Sequence, residues 1–190
     1  MERIKSSWLC SDGSSGYVEI ARKLPMTLQE YIDSLPKDKQ FVIVIHFVKL
    51  ALPIWTNYAD KNVLKYRDTV VGMMHTVDKK LLRESIDSIE KFINRKTIDG
   101  KGKLIELSKQ FDDPITALQD SDWELPYEVE RVFYSVCNLI RFVLGEEKTV
   151  FDESMIYVSI NQAADALESS GTMTFKELNK ILNDIKKQFE

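Results

Sequence analysis

The dominant feature in the pattern of apolar and polar residues is an apolar run at residues 41–52, which only His46 and Lys49 interrupt. No other part of the chain is as continuously apolar. Pro36 stands just before the charged residues that lead into this run, a position typical of a helix start. The pattern therefore predicts a buried central helix over residues 37–60.

Two alternatives fit part of this run. The β-branched side chains of residues 42–45 favour a strand, but the apolar residues are too continuous for a half-buried strand. A membrane-spanning helix needs about 20 predominantly apolar residues. This run is shorter, contains Lys49 and meets Pro53. Because Pro53 has no amide hydrogen to donate to the carbonyl of Lys49, we expect the helix to bend there.

The other apolar residues recur mostly three and four positions apart, which is helical spacing. They predict further helices at residues 28–35, 63–75, 81–93, 103–111, 126–144, 152–169 and 175–189. The helix at 103–111 is expected to end before Pro114, since the residue before a proline avoids helical geometry. Gly145 is expected to end the helix at 126–144.

The predicted fold is all-α, an irregular multi-helix bundle of about eight helices around the buried, Pro-kinked central helix. We expect a single helical domain over residues 1–190. Residues 1–24 form an N-terminal segment that can pack loosely on it, because Ser and Gly fill a turn between short apolar patches.

Composition limits the classes of function. The chain has 190 residues, 44% of them hydrophobic and 29% charged, as in an ordinary globular protein. A net charge of -4 argues against a general nucleic-acid binder, which usually presents a basic face. Two cysteines far apart in sequence, and an N-terminus without the apolar core of a secretory signal, lead us to expect a cytoplasmic protein.

Few side chains offer catalytic or metal-binding chemistry. The two histidines and two cysteines show no spacing typical of a zinc site or an activated nucleophile. His46 lies within the apolar run, which predicts a core histidine bonded to a backbone carbonyl. Cys137 falls in an apolar helical pattern and is interpreted as a small core residue. We therefore expect no enzyme, no cofactor, no metal and no catalytic residue.

One stretch, residues 171–178, resembles the second half of a calcium-binding loop, with Gly171 at position six and Glu177 at position twelve. In that register Ala166 occupies the first position, where an aspartate ligand is normally required. A helix start with Thr174 and Glu177 at capping-box spacing explains the same residues. We favour the helix start.

The strongest functional signal is electrostatic. Residues 112–130 contain seven carboxylates and no lysine or arginine, with two aromatic residues among them. An aromatic anchor ringed by one sign of charge is typical of a protein interface. The alternative is a solvated loop whose aromatic side chains pack into the core. The predicted partner-binding residues are Asp112, Asp113, Asp120, Asp122, Trp123, Glu124, Tyr127 and Glu128.

Two parts of the chain carry a family resemblance. Residues 41–58, with their Leu52-Pro53-Ile54-Trp55 turn, followed by residues 81–92, resemble the opening helices of some helical immunity proteins of bacterial polymorphic-toxin systems. These residues make up about a sixth of the chain. The resemblance implies tight one-to-one binding of a toxin domain, often a basic nuclease, whose active site the acidic surface would occlude. The expected function is thus that of a non-catalytic protein that neutralises a basic protein partner.

A second function fits the same helices. A helical scaffold or regulator could bind a small ligand or a partner helix in a groove beside the central helix. Trp55, Tyr58 and Tyr66 are the residues that could line this groove, although we favour core packing for all three. Neither function requires nucleic acid or a membrane, and neither fixes the oligomeric state.

Overall fold

The computed structural model describes residues 28–68, 71–95 and 98–189. Within these residues the fold is mostly helical, with seven helices and one two-stranded sheet. The predicted segment at residues 1–24 lies outside the described residues. The elements are α1 (Leu28–Ser34), α2 (Lys37–Ala59), β1 (Lys65–Arg67), β2 (Met74–Thr76), α3 (Leu81–Arg95), α4 (Ile98–Gln119), α5 (Tyr127–Leu144), α6 (Met155–Ser169) and α7 (Phe175–Phe189).

Helix α2 is the predicted central helix, and it packs chiefly against α6 and α5. It is not buried all round, however. One side contributes core side chains, and the opposite side forms an exposed stripe at helical spacing. Burial of each large core side chain contributes about 1.5–3 kcal/mol. The core side chains of α2 are Ile43, Val44, Phe47, Val48, Ala51, Trp55 and Ala59, and the exposed stripe is Val42, His46, Lys49, Pro53 and Asn57.

The exposed stripe corrects the prediction for His46 and explains why a proline is tolerated within α2. His46 is exposed, so the core histidine predicted from its apolar neighbours is wrong. Pro53 also lies on the exposed side, where the Lys49 carbonyl that it leaves without a helical donor can bond water. The helix continues through Pro53 as far as Ala59. The bend predicted at Pro53 stays a prediction.

By length and composition, α2 is the one helix among the described residues that could cross a membrane, with a mean hydropathy of 1.4. The core helix of a water-soluble protein meets the same criterion. In this fold its apolar side packs against α5 and α6.

Helices α5 and α6 form the most extensive helix pair of the fold. Two buried serines join them reciprocally. The Ser135 hydroxyl donates to the Ser159 carbonyl at 2.7 Å, and the Ser159 hydroxyl donates to the Ser135 carbonyl at 2.8 Å. Ala163 and Ala166 are fully buried on α6. Small side chains at such positions let two helix backbones approach closely.

The helix predicted at residues 63–75 is wrong, because this segment forms an antiparallel hairpin in which Tyr66 pairs with His75. The residues of the turn explain why the segment forms a hairpin. Asp68 accepts the amide of Val71 on its side chain at 2.8 Å, and Gly72 adopts a left-handed φ of 70°. An aspartate that bonds the backbone and a glycine with positive φ are both typical of tight turns.

The helix predicted at residues 103–111 is too short, because α4 runs through Pro114 to Gln119. The side chains of Phe111, Ile115 and Ala117 are buried on either side of the proline. Their burial outweighs the local preference against helix before a proline. The Thr116 hydroxyl also donates to the Asp112 carbonyl at 3.1 Å, which adds a bond in the turn where the proline provides none.

Two predicted helix ends are confirmed. Gly145 follows α5 with a left-handed φ of 110°, where glycine carries no steric cost. At the start of α7, the Glu177 carboxylate accepts the amide and the hydroxyl of Thr174, each at 2.8 Å. These bonds lower the pKa of Glu177. The capping box therefore explains residues 174–177 without a metal ion.

An aromatic chain runs from the core to the hairpin. Phe133 is at its centre, with ring centroids 5.0 Å from Phe111 and 5.5 Å from both Trp55 and Trp123. Tyr66 continues the chain at 6.0 Å from Trp123. All five rings are buried. We call these five residues the aromatic chain; it fixes the hairpin and the α4–α5 connection onto the helices.

Candidate protein-binding surface

The acidic residues predicted to bind a partner lie at the end of α4, in the connection to α5 and in the first turn of α5. Most of them face solvent, and they extend from Asp112, which reaches Arg141 in the last turn of α5, to Glu128 in the first turn of that helix. The exposed ones are Asp112, Asp113, Asp120, Asp122 and Glu124, while Glu128 is half-buried. We call these six residues the acidic surface.

The backbone of the α4–α5 connection sets which way its side chains point. Ser121 has a left-handed φ of 61°, which turns the chain back on α4. The amides of Asp122 and Trp123 then both donate to the Ala117 carbonyl, at 2.8 and 3.1 Å. The outward carbonyl of Asp122 accepts the amide of Arg67 from β1 at 3.3 Å. The connection is thereby fixed to both the helix and the hairpin.

The two predicted aromatic residues take different positions. Trp123 is only 6% exposed and packs edge-on against Phe133. Its ring packs into the core beneath the acidic surface. This is what the alternative interpretation, a solvated loop with core-packed aromatic side chains, expected. Tyr127 is 46% exposed, with the Arg131 guanidinium 4.5 Å from its ring centroid. Of the two, only Tyr127 can offer a ring to a partner.

Little positive charge offsets the acidic surface. Asp112 is 3.4 Å from the guanidinium of Arg141. The other exposed carboxylates have no described lysine, arginine or histidine nitrogen within 4 Å. Asp113 lies close enough to Tyr66 to raise the pKa of its phenol, although burial is the larger cause. The negative charge is therefore available to a partner.

Sequence reasoning did not single out two carboxylates of α6, Asp165 and Glu168. Asp165 lies close to Arg131 of α5, as does Glu130, and Glu168 lies close to Asp165. Burial lowers the pKa of the Arg131 guanidinium, but Tyr127, Glu130 and Asp165 more than offset that effect and the pKa is raised. Asp165 and Glu168 are far from residues 112–130 in sequence, and only the pairing of α5 with α6 brings Asp165 close to Arg131.

Asp165 is the one of these carboxylates whose pKa is strongly altered. Burial raises it to about 6, Arg131 opposes the rise, and Glu168 adds to it. Since the folded state holds the proton more tightly than the unfolded chain, the charged side chain lowers the free energy of unfolding. This cost is absent below the unfolded value of 3.8 and is complete above pH 6.

We therefore expect Asp165→Asn to raise the free energy of unfolding by about 1–2 kcal/mol at pH 7 and by almost nothing at pH 4. Urea unfolding at the two pH values measures both differences. Asp120→Asn is the matched control on an exposed site, where the change should stay under about 0.5 kcal/mol at either pH. An equal effect of Asp165→Asn at both pH values would contradict the assignment.

The residues proposed to line a ligand groove are mostly buried, as is Cys137. Trp55 is 1% exposed, and its indole nitrogen donates to the Lys79 carbonyl at 3.0 Å. Tyr66 is 6% exposed, while Tyr58 packs partly buried against the core. Trp55 and Tyr66 therefore fill the core rather than line an open groove. Burial raises the pKa of the Cys137 thiol to about 12, so this thiol stays protonated at neutral pH.

Comparison of the chain with protein-family models, with curated proteins and with solved structures finds no match.

Proposed function

We propose that this protein is a non-catalytic binding protein that holds a basic protein partner on its acidic surface, in the manner of an immunity protein that neutralises a toxin. One observation carries the proposal: five exposed carboxylates lie within residues 112–124, and of these only Asp112 is paired with a described cation. A field of one sign steers an oppositely charged protein toward the surface and favours its orientation.

The rigidity of the surface supports the same function. The α4–α5 connection is held by the backbone bonds of Asp122 and Trp123 and by burial of the Trp123 ring. A surface that is already ordered loses little conformational entropy when a partner binds. The carboxylates are thus presented in a fixed arrangement that can match fixed cations on another protein.

The chemistry of the surface indicates how it would neutralise a partner. Cations that hold phosphate groups in a nuclease active site would bind these carboxylates instead. Tyr127, exposed beside the carboxylates, supplies the aromatic contact typical of an interface hot spot. The proposal places the protein in the bacterial cytoplasm, where such a toxin would have to be held inactive.

The test begins with affinity capture from the native host, which supplies the partner. The triple variant Asp120→Lys, Asp122→Lys, Glu124→Lys is then expected to weaken binding at least about 100-fold, because three attractions become repulsions. Isothermal titration calorimetry measures the affinity, and circular dichroism checks that the fold is kept. The wild-type affinity should also fall as salt is raised.

A charge-matched control separates this surface from net charge. The variant Glu84→Lys, Asp87→Lys, Glu106→Lys changes three exposed carboxylates on α3 and α4 by the same total charge. We expect it to bind within about threefold of the wild type, as rim or distant charges act mainly on association rate. Equal losses in both variants, or unchanged affinity in the first, would refute the proposal.

A further inference from the structure

The hairpin has two edges of different character. On β1, the amide of Arg67 donates to the Asp122 carbonyl at 3.3 Å, so the α4–α5 connection covers that edge. Just outside β2, the Met73 carbonyl accepts the Asp68 amide at 2.8 Å and the Val77 amide donates to the Leu64 carbonyl at 2.9 Å, next to the two ends of β1. Because backbone groups alternate in direction along a strand, those of Met74 and Thr76 must point away from β1.

This outer edge of β2 is open. No described residue forms a hydrogen bond with the backbone of Met74 or Thr76. Proteins usually protect such an edge with a charged side chain, a proline or a bulge. Residues 71–77 contain no charged residue and no proline.

Apolar side chains are exposed along the same edge. Val71 is 63% exposed, Met73 61% and Met74 62%. Unpaired backbone groups beside exposed apolar side chains form a template for one more strand. An occupant must therefore be an extended polypeptide segment.

We propose that this occupant is β2 of a second copy of the chain, paired antiparallel about a two-fold axis at His75. Met74 of each copy then lies opposite Thr76 of the other, and each such pair exchanges two backbone hydrogen bonds. The result is a four-stranded sheet in the order β1, β2, β2, β1. An antiparallel edge about a two-fold axis is self-complementary, so no different partner is needed.

Charge favours this arrangement. The strands that meet at the axis carry no charged side chain, so the two-fold creates no like-charge contact there. The cations of the hairpin, Lys65 and Arg67, lie on β1. In the dimer the two β1 strands stand about 14 Å apart, three strand spacings, which exceeds the Debye length of about 8 Å at physiological salt.

The contact is small and leaves the acidic surface free. Two short strands with a few exposed side chains bury well under the roughly 800 Å² per partner of a standard interface. We therefore expect a dissociation constant of about 10 µM to 1 mM. The acidic surface adjoins the other edge of the hairpin, at β1, so this inference does not depend on the proposed function.

The full-length protein is studied by sedimentation equilibrium from about 5 µM to about 1 mM, the range that brackets the expected constant. The average mass should rise from that of one chain toward that of two. In parallel, hydrogen exchange followed by NMR should show the amides of Met74 and Thr76 slower at the highest concentration, by about twofold for a dissociation constant of about 1 mM and about fifteenfold for one of about 10 µM. The amide of Arg67, already bonded to Asp122, should not change.

Met74→Lys places two cations near each other across the axis and is expected to weaken the dimer at least about tenfold. Met74 is exposed but lies opposite Arg67 of β1, so hydrogen exchange at the Tyr66 and Val77 amides checks that the hairpin is kept. Val150→Lys, at a site 91% exposed on a different loop, adds the same charge and should leave the dimer unchanged.

A single-chain mass at every concentration would overturn the proposal. So would exchange at Met74 and Thr76 that does not depend on concentration, whether fast or slow, since slow exchange in a monomer would mean that another segment already covers the edge. Equal weakening by both lysine variants would show that net charge, not β2, governs association.

Discussion

Phe133→Ala is expected to lower the free energy of unfolding by about 3–5 kcal/mol, the range for removing a buried phenylalanine. The ring is 0% exposed and lies at the centre of the aromatic chain, between Trp55, Phe111 and Trp123. Its removal leaves three rings without their common neighbour, and rigid helices close such a space only in part. Urea unfolding followed by circular dichroism gives the difference, and the melting temperature should fall by roughly 10 °C.

The control for this substitution is Phe151→Ala, which removes the same atoms from a side chain that is 59% exposed. Its cost should stay below about 1 kcal/mol. If the two variants lost similar stability, the packing assigned to Phe133 would be wrong.

Trp123→Ala is expected to cost about 3–5 kcal/mol as well, and also to release the α4–α5 connection. The indole ring anchors this connection against Phe133 and supports Tyr66 of the hairpin. Without it, the bond from the Arg67 amide to the Asp122 carbonyl should open more often. Hydrogen exchange at Arg67, Asp122 and Trp123 positions is therefore expected to accelerate more than exchange in α6.

Trp123→Phe is the informative companion. A phenyl ring keeps the edge contact with Phe133, so we expect less than half of the stability loss of Trp123→Ala. Acceleration spread evenly over all helices in Trp123→Ala would mean global destabilisation, and would contradict a specific role in holding the acidic surface.

The sequence predicted the long helices well because their signals agree with one another. In α7, the apolar stripe, the Thr174–Glu177 capping box and the lysines of the last turn all indicate the same helix, and the structure confirms it. In α5, the apolar period and Gly145 agree in the same way. Where periodicity, caps and charge coincide, no tertiary information is needed.

The errors arise where local signals conflict with the fold. At residues 63–75 the apolar spacing fits a helix, but the Asp68 side chain and Gly72 form a turn whose geometry the spacing does not register. At Pro114 a correct local rule is outweighed by burial of Phe111 and Ile115. At His46 apolar neighbours suggested the core, yet a helix that packs on one side must expose every third or fourth residue.

The sequence also predicted only part of the candidate surface. The distribution of charged residues along the sequence was enough to locate the five carboxylates of residues 112–124, because this stretch is rich in acidic residues and contains no lysine or arginine. It could not locate Asp165 and Glu168, because only the pairing of α5 with α6 brings Asp165 close to Arg131 of α5. Nor could it separate Trp123 from Tyr127, because the inward turn at Ser121 decides which ring is buried.

The reciprocal bonds of Ser135 and Ser159 have a consequence for the geometry of the surface. Each hydroxyl donates a hydrogen bond to a backbone carbonyl of the opposite helix. Because a serine side chain is short, these bonds fix the distance between the α5 and α6 backbones more closely than contacts between long side chains would. Carboxylates on one helix thus keep their spacing from those on the other even while outer parts of the molecule fluctuate. Two uncharged buried residues thereby help to fix the spacing of charged groups on the surface.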